Sequence, residues 1–174
     1  MLVLETERLS LRWLTIDDAA FVLELVNDPA WIRFIGDKGV RTLRDAESYI
    51  LKGPVDMYAR LGFGLYLVEM KQGGLPVGLC GLLKRAELDD IDLGFAMLAD
   101  YRRRGFTYEA AKAVLSRARK VLGIAQVAAI TSPDNEASGR VLQKLGFRFE
   151  CMMRMGSEVT EVRFWRMRSQ DGSA

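Results

Sequence analysis

Three consecutive arginines, Arg102, Arg103 and Arg104, stand before a lone glycine, Gly105, where a strand-like stretch (91–98) gives way to a helix-periodic one (107–122). The periodic stretch places Ala111, Val114, Leu115, Ala118, Val121 and Leu122 on one apolar face and stops at Gly123, the pattern of a packed amphipathic helix. A helix N-terminus already has a positive partial charge, so cations there cost a few tenths to ~1 kcal/mol without a compensating anion. A glycine turn feeding such a terminus exposes free N–H groups and admits close approach of a ligand. The junction therefore reads as a phosphate site with guanidiniums supplying charge-assisted contacts. A solvated basic turn is the competing reading. The turn lacks the Lys-Ser/Thr ending of a Walker loop and the three glycines of a dinucleotide fingerprint.

The elements around this junction set the fold class. "RLSLRWL" (8–14) alternates as a first strand, and "TIDDAAFVLELVND" (15–28) is a helix opened by Thr15 and Asp18 in capping-box spacing. Residues 29–39, with Pro29 and two glycines, read as a loop, and 42–51 as a second capped helix broken near Gly53-Pro54. Stretches 63–70, 77–84 and 91–98 are three strands joined by polar turns. "QVAAIT" (126–131) is a short buried strand, 132–146 a helix with Pro133 early and Gly146 as its stop, and 147–155 with 160–168 a closing hairpin. This order gives an α/β fold: a mixed sheet of about seven strands with helices on its faces. Nothing divides residues 1–174, so one domain is expected, with its core at about 3–168.

Composition removes whole classes of chemistry. The chain has no histidine, so histidine-dependent nucleophile triads and the common zinc sites are excluded, and acid–base work falls to carboxylates, Tyr, Cys, Lys, hydroxyls or water. Two cysteines, Cys80 and Cys151, lie in separate apolar stretches and read as buried small residues in a reduced, cytoplasmic setting; no metal is expected. No apolar run reaches the ~18 residues of a membrane span, and "MLVLETERLS" is charged too early for a signal peptide. With 25 basic against 23 acidic side chains and no stacking platform, a nucleic-acid partner is not expected.

Three motifs in one order, E-T-E-R-L at Glu5–Leu9, R-x-x-G-x-T at Arg102, Gly105 and Thr107, and N-x-x-S…K-x-G-F at Asn135, Ser138, Lys144, Gly146 and Phe147, make the chain resemble the GNAT acetyltransferase superfamily over residues 3 to 168. The likeness is nearest to its Rim-type branch, which includes ribosomal-protein N-terminal acetyltransferases. Thr107 replaces the family's usual small Gly or Ala. The resemblance implies a sheet splayed between strands 91–98 and 126–131, with acetyl-coenzyme A in the wedge. The backbone of Met97 and Leu98 would pair with the pantetheine arm. The loop Arg102, Arg103, Arg104, Gly105, Phe106 and Thr107 would hold the pyrophosphate. Asn135 would bond the arm, and Ser138 would lie near the sulfur; for both, helix capping is the alternative.

The implied reaction is direct attack of a primary amine on the thioester through a tetrahedral oxyanion, stabilised by a backbone N–H of strand 91–98. Many relatives protonate the leaving thiolate with a Tyr seven residues after the Asn. Leu142 stands there in this chain, so Ser138 inherits that role. Asp92 occupies the place of the branch's strand Glu and is the candidate base, against an outward-facing strand carboxylate. Trp31, Phe34 and Tyr58, with Ile35, Asp37, Glu158, Glu161 and the 156–160 turn, are candidates around the acceptor, whose acidic members would suit a cationic amine. A protein N-terminus, ribosomal or other, and a small-molecule amine both fit, and a homodimer is left open. The rival from another class is a catalytically silent acetyl-coenzyme A sensor.

Overall fold

The structure, a computed structural model of the 174-residue chain, describes residues 1–156 and 160–168. Eight strands among the described residues form one sheet in the order β1-β2-β3-β4-β5-β6-β8-β7. They are β1 (Leu2–Glu5), β2 (Leu9–Trp13), β3 (Leu65–Met70), β4 (Pro76–Leu83), β5 (Ile91–Met97), β6 (Gln126–Thr131), β7 (Arg148–Met155) and β8 (Thr160–Arg168). The strand beyond the expected seven is β1, a short edge strand with exposed ends. It lacks the half-buried alternation that marks a strand in sequence.

Every neighbouring pair is antiparallel except β5–β6. That parallel pair holds register only at Ile91↔Val127 and Asp92↔Ala128, whereas β5 stays paired with β4 as far as Met97. From Leu93 onward the two strands part, and the sheet opens into the expected wedge.

Helix α5 (Phe106–Lys120) lays Phe106, Ala110, Ala111, Val114 and Ala118 on one sheet face, against Val68, Leu82 and Val127. The small residues Ala110, Ala111 and Ala118 keep that helix close to the sheet. The other face carries α1 (Ala19–Val26), α2 (Pro29–Phe34) and α3 (Leu43–Ile50), whose Val22, Leu25, Trp31, Ala46 and Ile50 cover Leu65, Leu67 and Leu79. Each fully buried Leu or Val in these layers contributes ~1.5–3 kcal/mol. The last two helices are α4 (Asp56–Leu61) and α6 (Glu136–Lys144).

Three local expectations change. The 29–39 stretch is not all loop: Asp28 accepts the N–H groups of Ala30 and Trp31 and, with Pro29 at the first helical position, starts α2. The chain does not break at Gly53-Pro54. It passes from α3 to α4 through a wide π-type turn at Leu51–Val55, which accommodates a proline without an N–H to donate. Cys80 is buried as expected, but Cys151 is exposed on β7, the outer strand of the sheet.

Candidate functional site

The wedge opens above the 102–107 loop, and the loop's backbone is shaped around unpaired donors. Arg103 (φ 61°) and Gly105 (φ 82°) both adopt the left-handed region, the alternation that turns successive N–H groups toward one concavity. The first backbone bond of α5 runs from Glu109 N–H to Gly105 O. Among the described residues, no acceptor faces the N–H groups of Arg103 through Tyr108. A cluster of free donors at a helix N-terminus is a cradle for a polyanion.

The three arginines divide their labour. Arg102 is anchored within the protein: its Nε donates to Met97 O at 2.9 Å and its Nη2 to Asp28 Oδ1 at 2.5 Å. Burial raises the Asp28 pKa, and the bonds from Arg102 and the α2 N–H groups outweigh it, holding that carboxyl below its usual range. The Arg102 side chain, expected at the phosphate, thus ties the loop to α2 through two of its five N–H groups. Arg104 stacks over the rings of Tyr101 and Phe106, and its carbonyl accepts from Arg8. Arg103 has no ion-pair partner among the described residues. The E-T-E-R-L opening is a clamp on the same loop. Glu109, in the first turn of α5, accepts from Thr6 Oγ1 at 2.5 Å, Arg8 N–H at 2.9 Å and Arg8 Nε at 2.7 Å.

The open edge of β5 supplies the remaining backbone groups. Leu98 does not: its N–H donates to Val77 O and its C=O accepts from Tyr101. Since Leu98 N–H points at β4, alternation directs the N–H and C=O of Phe95 and the N–H of Met97 toward the gap. Met97 O also points there but is occupied by Arg102. The expected pair Met97 and Leu98 is therefore corrected to Phe95 and Met97. From the loop side Phe106 contributes backbone only, since its ring lies in the core, and Thr107 offers its backbone N–H beside it.

Across the wedge, Asn135 caps α6, its Oδ1 accepting Ser138 N–H at 3.1 Å. The cap leaves the Asn135 Nδ2 group and the half-buried Ser138 Oγ without protein partners among the described residues. The mouth is spanned by an ion pair, Arg33 of α2 to Asp134 before α6, at 2.7 Å. Helix α2 is thus tied to both sides of the opening, by Asp28 on one and Arg33 on the other.

Asp92 is placed differently from either expectation. It is 0% exposed, at the last paired position before the splay, and both carboxylate oxygens accept from Arg85 Nε at 3.0 and 3.2 Å. Burial pushes its pKa up, and Arg85 only partly counters this. A base must offer an oxygen to the amine or a water, and this carboxylate is sealed behind Arg85. Trp31 and Tyr58 are corrected likewise. Both are core residues, with Tyr58 stacked on Trp13 and bonded through its hydroxyl to Leu65 O and Leu14 N–H. Phe34 is half-buried beneath the Arg33 guanidinium, Ile35 is exposed and Asp37 pairs with Arg41. Glu158 lies outside the described residues.

A cavity of about 490 Å³ opens instead between α3, the π-type turn and the 38–40 loop. Its walls include Val40, Pro54, Met57, Leu65 and Leu83, with Lys38, Tyr49 and Lys52 at polar positions. One sequence signal pointed there: Asp45, Ser48, Tyr49 and Lys52 recur at helical spacing along one face.

A family model described as an acetyltransferase (GNAT) domain matches residues 8–148. The chain belongs to the GNAT acetyltransferase family. It is an acetyltransferase that uses acetyl-coenzyme A, as the family does. Among curated proteins it is similar to two from Bacillus subtilis. The uncharacterized N-acetyltransferase YoaA is 28% identical over 154 residues, spanning 87% of this chain and 86% of that one. YnaD, of the same description, is 26% identical over 145 residues, spanning 83% and 82%. The fold matches a GNAT-family acetyltransferase from Bacillus anthracis, with a TM-score of 0.80 and 23% identity over 98% of this chain and 100% of the other. It also matches RimL, a ribosomal alpha-N-protein acetyltransferase solved with coenzyme A, with a TM-score of 0.83 and 15% identity over 97% and 98%. No helix among the described residues is long and apolar enough to cross a membrane.

Proposed function

We propose that this GNAT acetyltransferase moves the acetyl group of acetyl-coenzyme A directly to a primary amine, of a small molecule or a protein N-terminus. The observation that carries the reading is the joined set of unpaired donors, the 103–108 N–H groups and the open β5 edge, on either side of one wedge. The loop donors suit the pyrophosphate, and the Phe95 and Met97 backbone suits the amides of the pantetheine arm, as an added strand would. Asn135, through its free Nδ2, supports the arm from α6. The Rim-type members among the structural neighbours support the N-terminal amine as one acceptor class.

In the reaction the neutral amine nitrogen forms a bond to the acetyl carbon as the carbonyl electron pair moves to oxygen. The tetrahedral oxyanion then re-forms the carbonyl as the carbon–sulfur bond breaks and its electron pair leaves on sulfur. A backbone N–H on the β5 edge is the donor available to the oxyanion as charge develops. Leu142 is fully buried and has no proton to give, so Ser138 Oγ, directly or through a water, serves the departing thiolate. With Asp92 sealed, the amine proton goes to water, and catalysis draws on positioning and the oxyanion donor.

The test is coenzyme A release from acetyl-coenzyme A across amines, peptides and polyamines, with binding of acetyl-coenzyme A followed by calorimetry. Turnover on a primary amine supports the reading. Tight binding with no turnover on any of them would assign the protein to the silent sensor class.

A further inference from the structure

The 490 Å³ cavity has a chemistry of its own. Its polar rim presents Lys38, Lys52 and the Tyr49 hydroxyl, which has no protein partner among the described residues. Its one lining carboxylate, Asp45, is occupied by the N–H groups of Arg41 and Thr42 at 3.0 and 2.9 Å. Arg85 stands behind the rim on the same sheet face: its partner Asp92 is paired across β4 and β5 with the wall residue Leu83, so the two side chains share a face. Arg85 meets Asp92 through Nε alone. A guanidinium has five N–H donors in a fixed fork, so four, on Nη1 and Nη2, are left with no protein acceptor among the described residues. The Arg85 side chain is 34% exposed while that of Asp92 is 1% exposed. The buried carboxylate thus fixes one edge of the guanidinium and leaves the outer edge free, the edge that takes a carboxylate in bidentate fashion.

We infer that this cavity is the acceptor pocket and that it takes an amine whose body is apolar and which also carries a carboxylate, held by Arg85 and Lys38. The inference rests on the acetyl-transfer reading above and narrows its acceptor. Three observations support it together. The pocket's volume is that of a small-molecule site. Its walls are aliphatic. Two lysines, Lys38 and Lys52, outnumber its one carboxylate, Asp45, and desolvation, then the Arg85 charge, holds the Lys38 ammonium pKa below the ordinary lysine value. An incoming carboxylate would relieve the strain between Lys38 and Arg85. A polyamine, by contrast, would add charge of the same sign. Asp92 becomes a positioning residue acting through Arg85, and the acidic acceptor surface expected from Asp37 and Glu161 gives way to a basic one.

The experiment compares matched probes: leucine, methionine and phenylalanine, each beside its carboxamide, with phenethylamine as the decarboxylated control. Binding to the protein saturated with coenzyme A is measured by calorimetry, and coenzyme A release from acetyl-coenzyme A separately. The carboxylates should bind at least ~10-fold more tightly than their carboxamides, the range of a charged hydrogen bond. Lys38→Gln, an exposed change, should shrink that preference, and Arg85→Gln paired with Asp92→Asn should abolish it. The paired variant avoids a lone buried charge, and acetyl-coenzyme A affinity should hold in both. Equal affinity within the matched pairs, no binding of any carboxylate probe, or a preference unchanged in both variants would overturn the inference. Absence of turnover together with selective carboxylate binding would instead refute acetyl transfer and leave the pocket's preference standing.

Discussion

Replacing Arg102 by alanine separates two meanings of a loop arginine. In this fold the guanidinium makes two short bonds, to Met97 O at 2.9 Å and Asp28 Oδ1 at 2.5 Å. Truncation removes both. Asp28 still accepts the Ala30 N–H at 2.9 Å, so it is not stranded. A charged hydrogen bond is worth ~1.5–3 kcal/mol. The Arg102 side chain is 35% exposed, however, and solvent screening discounts such contacts, so the expected loss is about 1–2 kcal/mol. In a chain of this size that lowers Tm by roughly 2–8 °C. Because the fold holds the guanidinium against Met97 O and Asp28, calorimetry should find acetyl-coenzyme A and phosphate-free pantetheine weakened by the same factor. The pH dependence has a definite sign. Asp28 has a lowered folded pKa, so its contribution is fully present above the ordinary Asp value, ~3.9, and fades as pH falls through the folded value. The Tm gap between wild type and variant should therefore be constant from neutral to about pH 4 and close below it. An unchanged Tm with affinity lost only for the phosphorylated ligand would refute this account and return Arg102 to the phosphate.

Four further outcomes follow from the same geometry. Gly105→Val forces a β-branched residue to φ 82°, costing ~1–2 kcal/mol or more, and should abolish acetyl-coenzyme A binding in a protein that still folds; unchanged affinity by calorimetry would remove the phosphate reading. Ser138→Ala should lower kcat about tenfold or more, as loss of a positioned proton donor does, with acetyl-coenzyme A affinity intact. The rate should rise on the alkaline side with the neutral fraction of the acceptor amine, and Asp92→Asn should keep that rise; a limb lost in the variant would give the carboxylate a proton role. Urea melts should show Arg85→Gln alone costing ~3–5 kcal/mol, because it strands a sealed carboxylate, and Asp92→Asn clearly less, because Arg85 keeps its access to solvent. Since the Asp92 pKa is raised in the fold, the Arg85→Gln deficit should grow as pH rises through that value and shrink in acid.

The sequence alone determined what local chemistry can specify. Apolar periodicity located α5 and the central strands, since a repeat of 3.6 or 2 is written in the residues that must be buried. The Arg-Arg-Arg-Gly junction announced a helix N-terminus with unpaired donors, since glycine before a periodic stretch has few other uses. The absence of histidine bounded the catalytic groups. Motif order pointed to the family. Tertiary structure decided which partner each polar side chain meets. Arg102 looked free until the fold brought Asp28, 74 residues away, to its guanidinium. Asp92 looked outward until Arg85 and the sheet closed over it. Tyr58 and Trp31 had the composition of a ligand wall and became core, because an aromatic ring is equally suited to either. The basic pocket draws Lys38 from one loop and Tyr49 and Lys52 from α3 and the turn after it, with Arg85 of a third segment behind them. Periodicity reports which face of an element is buried; which charges end up facing one another depends on how those elements cross.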